Sequence, residues 1–427
     1  MLVAVHIKAQ DTLYLNDAIR IAMERNHDIR VVNNVATISK NNATRGNAGM
    51  LPRLDVAAGV TYNINSTDIE FSSGIPPTSE NGAETQSYNA SLNLAYTVFD
   101  GLGNIYNYRK LMATAGLSKL QAQLTIEATL IQVLNFYYNM GRAQQQYEVA
   151  KKALSVSKER RRRAEVQSEF GRASKLEVLN AEVDYNTDSI NMVNAALTIE
   201  TARYNLNYLL GEESTRSYIA SMLVNIDETM QLAELRQLAK QNNVAIKISQ
   251  ANLNLSELDL KLVKASQLPR LDLRASYGFN QANNEVGIVL KQQNLGFSGS
   301  LSMSFNIFDG HRKQTQHENT LLSIENNREE VENAKDQVER DIQNAFATYK
   351  NRLDLLAIAE KNLSAAKRNF ERTQELYRLG QTNSTQFRTA QLNLIRTQSN
   401  IIDAKFAAKL AEIQLIYLTG QLIATPQ

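Results

Sequence analysis

The chain carries one pattern twice, and that repeat limits its fold more than any other feature. SLNLAYTVFDG occupies Ser91 to Gly101, and SLSMSFNIFDG occupies Ser300 to Gly310. The copies stand 300 − 91 = 209 positions apart. That offset holds downstream without insertion: Gly171 matches Gly380, Ala181 matches Ala390, and Gly211 matches Gly420. Upstream the offset is 217. LPRLD at Leu51 to Asp55 recurs at Leu268 to Asp272, and Leu15, Ala22, Asn26 and Ile29 recur at Leu232, Ala239, Asn243 and Ile246. The difference, 217 − 209 = 8 residues, is lost between Asp272 and Ser300. Length changes collect at exposed loop tips, so that segment reads as a strand–loop–strand hairpin with a free tip. A repeat of this kind means two copies of one structural unit.

Each copy ends a strand pattern and opens a helix pattern. From Leu54 to Asn65, Leu54, Val56, Ala58, Val60, Tyr62 and Ile64 alternate with Asp55, Ala57, Gly59, Thr61 and Asn63. Tyr88, Ala90, Leu92, Leu94, Tyr96 and Val98 alternate with polar or small residues in the partner strand, across a Ser/Thr/Gly/Pro-rich loop over 66–87. The second copy repeats this with Leu271, Leu273, Ala275, Tyr277 and Phe279, then Phe297, Leu301, Met303, Phe305 and Ile307. Strands of about ten residues with strict alternation are the mark of transmembrane β-barrels; a soluble sheet with one wet face is the alternative. Four strands are too few to close a membrane barrel, which starts at about eight. An open edge in lipid leaves backbone groups unpaired at several kcal/mol each. Strands of this kind in a membrane therefore require several chains to share one barrel.

The helical windows are equally constrained. The prolines are Pro52, Pro76, Pro77, Pro269 and Pro426, so none interrupts 101–211 or 310–420. Proline breaks helix interiors, and each window is free to be helical: a long helix over 102–170 or 311–379, a turn at Gly171 or Gly380, and a return helix over 173–210 or 382–419. At 1.5 Å per residue the long helix spans about 100 Å. In the second copy a seam reads Val331, Ala334, Val338, Ile342, Ala345, Tyr349, Leu353, Leu356, Ala359, Leu363, Ala366, Phe370, Thr373, Tyr377. Its spacing near 3.5 predicts supercoiling with neighbouring helices. Shorter helices are predicted over 15–50 and 230–267, hairpins over 54–99 and 271–308, and a non-helical linker over 212–229 packed against the helices. Repeat 1 thus covers 11–211, repeat 2 covers 230–420, and 421–427 is a tail. MLVAVHIKAQ, over 1–10, fits either the remnant of a secretory signal or an ordinary N-terminus.

Composition excludes several chemistries. With 43% hydrophobic and 21% charged residues and a net charge of +2, the chain is neither disordered nor biased toward nucleic acid. It has no cysteine, hence no disulfide or thiolate chemistry. No apolar run reaches the ~18 residues of a transmembrane helix. Of the four histidines, His311 and His317 are six apart, on different helix faces. No phosphate loop, dinucleotide motif or zinc-ligand spacing is present, so neither an enzyme nor a cofactor is expected. Lys158 to Arg163 (KERRRR) reads as a solvated helix face rather than a nucleic-acid patch, since the run is short and interleaved aromatics are missing; its place two turns before Gly171 allows a third reading, contact with a partner at the helix tips.

Two repeats of short helices, LPRLD, hairpin, Phe-Asp-Gly, long helix, Gly turn and return helix resemble the TolC-like outer-membrane efflux proteins over about 12–423. The motifs YRLG at Tyr377 to Gly380 and YLTG at Tyr417 to Gly420 add to the match. The resemblance implies an α+β membrane protein. Three chains would share a twelve-strand outer-membrane barrel and a twelve-helix periplasmic tube, a passive exit duct. It implies an inner-membrane pump and a periplasmic adaptor as partners. A soluble coiled-coil adaptor is the competing class.

Two sets of site residues follow. Gly171, Arg172, Arg378, Leu379 and Gly380 are expected at the helix tips, where an adaptor would dock. Glu177, Asn180, Asp184, Asp188 and Asn191 form a polar stripe on the first return helix, with Gln386, Thr389, Asn393, Thr397 and Asn400 at offset 209. The resemblance implies that tip-proximal members line the closed entrance and that Tyr377 joins a latch. Gln386 and Thr389 stand where the family has carboxylates, and Thr382 where it has the latch arginine. What is expected is one acidic ring of Glu177, with Asp184 and Asp188 deeper in the lumen.

Overall fold

The computed structural model describes residues 11–422, apart from 73, 75 and 222. The segment 1–10 and most of the 421–427 tail lie outside the described residues. In chain order the elements are β1 (Asp11–Leu13), α1 (Leu15–Arg25), α2 (His27–Asn42), β2 (Arg53–Ile69), β3 (Thr78–Phe99), α3 (Gly103–Glu169) and α4 (Lys175–Leu210). There follow β4 (Tyr218–Ala220), α5 (Leu232–Asn242), α6 (Val244–Ala265), β5 (Arg270–Asn284), β6 (Lys291–Ser304), α7 (Arg312–Arg378) and α8 (Ser384–Leu418). The chain divides into two compact units. A sheet unit comprises Thr37–Ser118 and Gln250–Glu330; a helical unit comprises Lys119–Ser249 with the segments before Thr37 and after Glu330.

The sheet unit is one antiparallel sheet in the order β2-β3-β5-β6. Its register stacks the alternation of all four strands. Val56 lies opposite Leu92, Leu92 opposite Tyr277, and Tyr277 opposite Phe297; two residues along, Ala58, Ala90, Phe279 and Leu295 form the next row. The rows between are Ala57, Ser91, Gly278 and Gly296, or Asp55, Asn93, Ser276 and Ser298. Side chains of a strand alternate faces, so over these rows one face of the sheet is apolar and the other small or polar; toward the hairpin tips the apolar face gives way to rows that include Gln281 and Gln293, then Gln86, Asn283 and Lys291. The apolar face is uncovered in the single chain: Val56 is 78% exposed, Phe297 73% and Leu295 65%.

Each strand-to-helix junction is built the same way, which explains Phe-Asp-Gly. Asp100 Oδ2 accepts from the Asn104 backbone N–H at 2.8 Å, and Asp309 Oδ2 accepts from that of Lys313 at 3.2 Å. Between carboxylate and helix the chain takes two left-handed residues, Gly101 and Leu102 (φ 70° each), or Gly310 and His311 (φ 70° and 65°). Such a conformation costs an L-residue roughly 1–2 kcal/mol. Gly101 has a further reason: a Cβ there would sit 2.5 Å from the Ala265 carbonyl oxygen.

The helical unit is organised by a second repeated contact. Asn26 separates α1 from α2: its Oδ1 accepts from the Ile29 N–H and its Nδ2 donates to the Leu209 carbonyl at 2.7 Å. Asn243 separates α5 from α6 and donates to the Leu418 carbonyl at 2.9 Å. The glycine that follows each return helix sits against the same break. A Cβ on Gly211 would stand 2.6 Å from the Arg25 carbonyl, and one on Gly420 2.6 Å from that of Asn242. The repeated Asn and Gly positions are thus the two sides of one helix-on-helix contact. Around them lie two apolar clusters, one with Leu134, Met140, Leu206 and Leu210, the other with Ile342, Tyr349 and Leu415. Each fully buried aliphatic side chain contributes about 1.5–3 kcal/mol. Along α7 every residue of the 3.5-spaced seam from Val331 to Tyr377 is buried or half-buried.

The structure departs from the sequence pattern at four places. The first helical segment, predicted to residue 50, stops at Asn42, where Asn47 turns back to donate to the Asn42 carbonyl and Thr44 Oγ1 accepts from the Asn47 N–H. The predicted 66–87 loop is largely strand, because β3 pairs with both β2 and β5. By contrast β6 stops at Ser304, short of 308. It pairs on one side only, and its neighbour β5 begins at Arg270, just after Pro269, which lacks an N–H. Finally, the linker over 212–229 contains β4, which pairs in parallel with β1. Tyr137 donates to the Leu13 carbonyl at 3.0 Å, and burial pushes its hydroxyl up to about 12. The rest of the linker is tied down by Tyr349, which donates to the Asp227 carbonyl, and by Glu412, which accepts from the Asp227 N–H at 3.2 Å.

Candidate functional site: helix tips and a buried charge cluster

Both tips are glycine turns of one design. Gly171 (φ 66°) ends α3, and the Arg172 N–H reaches back to the Gln167 carbonyl at 2.8 Å; Gly380 (φ 73°) ends α7, and the Gln381 N–H reaches the Leu376 carbonyl at 2.9 Å. A left-handed residue closing a helix in this way favours glycine. The return helices start with matched caps: Ser174 Oγ accepts from the Glu177 N–H, and Asn383 Oδ1 from the Gln386 N–H. Glu177 therefore stands in the first turn of α4, where a carboxylate also favours the positive helix end. At the tips Phe170 and Leu379 are 75% and 64% exposed, and Arg172 and Arg378 beside them are exposed too.

Behind the tips the polar stripe of α4 splits. Asn180 and Asn191 are exposed, Glu177 and Asp184 are half-buried, and Asp188 is buried. Arg388 of α8 grips Asp188 with two hydrogen bonds, 2.7 and 3.0 Å, and its Nε lies 3.2 Å from Asp184. Arg160 of α3 reaches Asp184 at 2.6 Å and donates to Ser384 Oγ at 3.0 Å. Ser157 donates to Asp188, and Gln391 donates to the Ala153 carbonyl while its Oε1 accepts from Arg388. Burial opposes the Arg388 charge, yet Asp188 and then Asp184 outweigh it and hold its pKa above the ordinary value.

This corrects two expectations. Asp188 does not face a lumen in company with Glu177; it is neutralised between α3, α4 and α8, and Asp184 is engaged by two arginines. The run from Lys158 to Arg163 is not one solvated face, for Arg160 is 4% exposed, Arg161 lies over the Tyr185 ring at 4.5 Å, and Arg162 and Arg163 bind Glu159. Those two arginines hold the Glu159 carboxyl well down, at about 2. Sequence reasoning missed Arg388, Arg160 and Ser157. A signal existed: Ala153, Ser157, Arg160 and Ala164 follow core spacing on α3, with an arginine in a core position. On α8, Gln386, Thr389 and Asn393 remain exposed on one face. The Tyr377 ring stacks on Phe387 at 4.8 Å, which in turn contacts Phe370.

One feature of α4 was not foreseen. Leu176, Leu179, Val183, Ile190, Val193 and Leu197 are each 57–67% exposed, at spacings of three, four and seven. They form a coiled-coil seam that, among the described residues, no helix of the same chain covers.

Among the described residues no helix is long and apolar enough to cross a membrane. A family model described as outer membrane efflux protein matches residues 18–212 and 235–421. The chain is similar to the outer membrane efflux protein BepC of Brucella suis biovar 1 (strain 1330), 22% identical over 69% of this chain and 64% of BepC. It is also similar to the outer membrane protein TolC of Escherichia coli (strain K12), 20% identical over 87% of this chain and 75% of TolC. The solved CmeC outer membrane channel of Campylobacter jejuni superposes on the fold with a TM-score of 0.78 at 17% identity, covering 96% of this chain and 86% of CmeC. The match thus spans just under two thirds of BepC. The repeats, the hairpins, the glycine tips and the family match together make this chain a member of the outer membrane efflux protein family, located in the outer membrane.

Proposed function

We propose that three copies of this chain form an exit duct. Their hairpins close one twelve-strand barrel, and their helices form a tube that receives substrate from a periplasmic adaptor and an inner-membrane pump. The carrying observation is the sheet itself: an exposed apolar face, a polar face opposite, and two open edges at β2 and β6. In hydrocarbon the open edges are tolerated only if β6 of one copy pairs with β2 of the next. The uncovered α4 seam supports the same assembly, because coiled-coil seams are buried by a neighbouring helix. Glu177 near the entrance, three times repeated, would favour cations, as rings of carboxylates do.

Purified protein in a planar bilayer should give discrete conductance steps with a preference for cations. Glu177→Gln should weaken that preference, and Glu177→Lys should abolish or reverse it. Absence of any conductance would overturn the duct, whereas steps with identical ion preference in all three proteins would remove Glu177 from its lining.

A further inference from the structure

At the helical end of the sheet a cleft of about 640 Å³ opens beside Gly101. Its polar lining is Lys261, Lys264, Gln267, Tyr106 and His317, with Gln314 alongside; no aspartate or glutamate lines it. Both lysines are exposed. Leu102 and Leu268, 46% and 50% exposed, also line the cleft. The first turns of α3 and α7, whose positive ends attract anions, contribute Tyr106 and Gln314.

The internal repeat supplies a control. α2 and α6 begin at matching residues, His27 and Val244, but α2 ends at Asn42 whereas α6 continues to Ala265. The lysines stand on the added turns. At offset 217 the first repeat has Thr44 and Asn47, which close a tight turn instead. The repeat architecture therefore does not require Lys261 and Lys264. A helix C-terminus draws a cation to its last turn, which accounts for Lys264 but not for the donor set around it.

We propose that this cleft binds the phosphate of an anionic phospholipid headgroup in the inner leaflet of the outer membrane. The cleft begins just beyond the last apolar row, where Phe99 pairs with Leu271 and Leu271 with Met303, so its position is that of a headgroup plane. Lys261 and Lys264 supply the charge, Gln267 and Tyr106 the neutral donors, and Leu102 and Leu268 meet the first acyl carbons. The site rests on the barrel reading above, since only a membrane-embedded sheet brings lipid to it. The exposed leucines favour a lipid over a free anion, which would leave them uncovered.

Native mass spectrometry of the full-length protein in detergent tests it, with phosphatidylglycerol and phosphatidylcholine as probes. The parent should retain phosphatidylglycerol in preference. Lys261→Gln with Lys264→Gln should lower that retention about tenfold, the loss expected for one to two charge-assisted contacts. The double Lys→Arg variant should keep it, and phosphatidylcholine retention should be the same in all three. Equal phosphatidylglycerol retention by the parent and the Gln variant would overturn the headgroup site and leave the barrel standing. Displacement of the lipid by inorganic phosphate would overturn the lipid as ligand. A protein that is monodisperse without detergent and retains no lipid would overturn the barrel and the site together.

Discussion

Arg388 and Asp188, two hundred positions apart, meet through two parallel hydrogen bonds in a site that is all but closed to water: Nη1 to Oδ2 at 2.7 Å and Nη2 to Oδ1 at 3.0 Å. Both charges are desolvated, so the pair is worth little relative to a well-packed apolar pair but costs much to break from one side. Asp188→Leu alone should destabilise the helical unit by about 3 kcal/mol, as should Arg388→Met. The double variant Asp188→Leu with Arg388→Met should recover most of that loss. Chemical denaturation of the purified protein checks this, and strictly additive losses would contradict a coupled pair.

How far this site was readable in the sequence follows from the same pair. Asp184 and Asp188 sit at helical spacing on a helix that also carries Glu177 and Asn180, and periodicity alone cannot tell a solvated stripe from one that meets arginines on two other helices. The repeat, the strand alternation and the α7 seam were legible because each is a local pattern written twice or at length. The glycines after Phe-Asp and at the helix tips were legible for the same reason. The end of β6 at Ser304 and the pairing of β1 with β4 were not, since both depend on what the neighbouring strand offers rather than on the residues themselves.

Glu127 on α3 is 2% exposed, and burial raises its carboxyl above the ordinary 4.5, against the opposing hydrogen bond from Gln123. A raised carboxyl favours the protonated form in the fold. Its contribution to stability is complete below pH 4.5 and is lost as pH climbs through the folded value. Glu127→Gln should therefore raise the melting temperature at neutral pH, and the gap between variant and parent should close as pH falls toward 4.5. Melting curves at several pH values decide it; a variant less stable than the parent at neutral pH would show that the charged form is the one the fold requires.

The tips carry an exposed apolar side chain beside an arginine twice, Phe170 with Arg172 and Leu379 with Arg378. If an adaptor docks there, Arg172→Glu with Arg378→Glu should reduce export in cells severalfold, with the melting curve and assembly of the purified protein unchanged. Undiminished export by a properly assembled variant would remove the docking role from these residues.

The shared barrel is tested most directly by the mass of the purified protein in detergent, measured by light scattering with the detergent contribution subtracted. One chain is 47.8 kDa. The barrel proposed above, shared by three copies through the open edges of β2 and β6, predicts a protein mass three times that of the single chain. A stable, folded species with the mass of one chain would contradict the shared barrel.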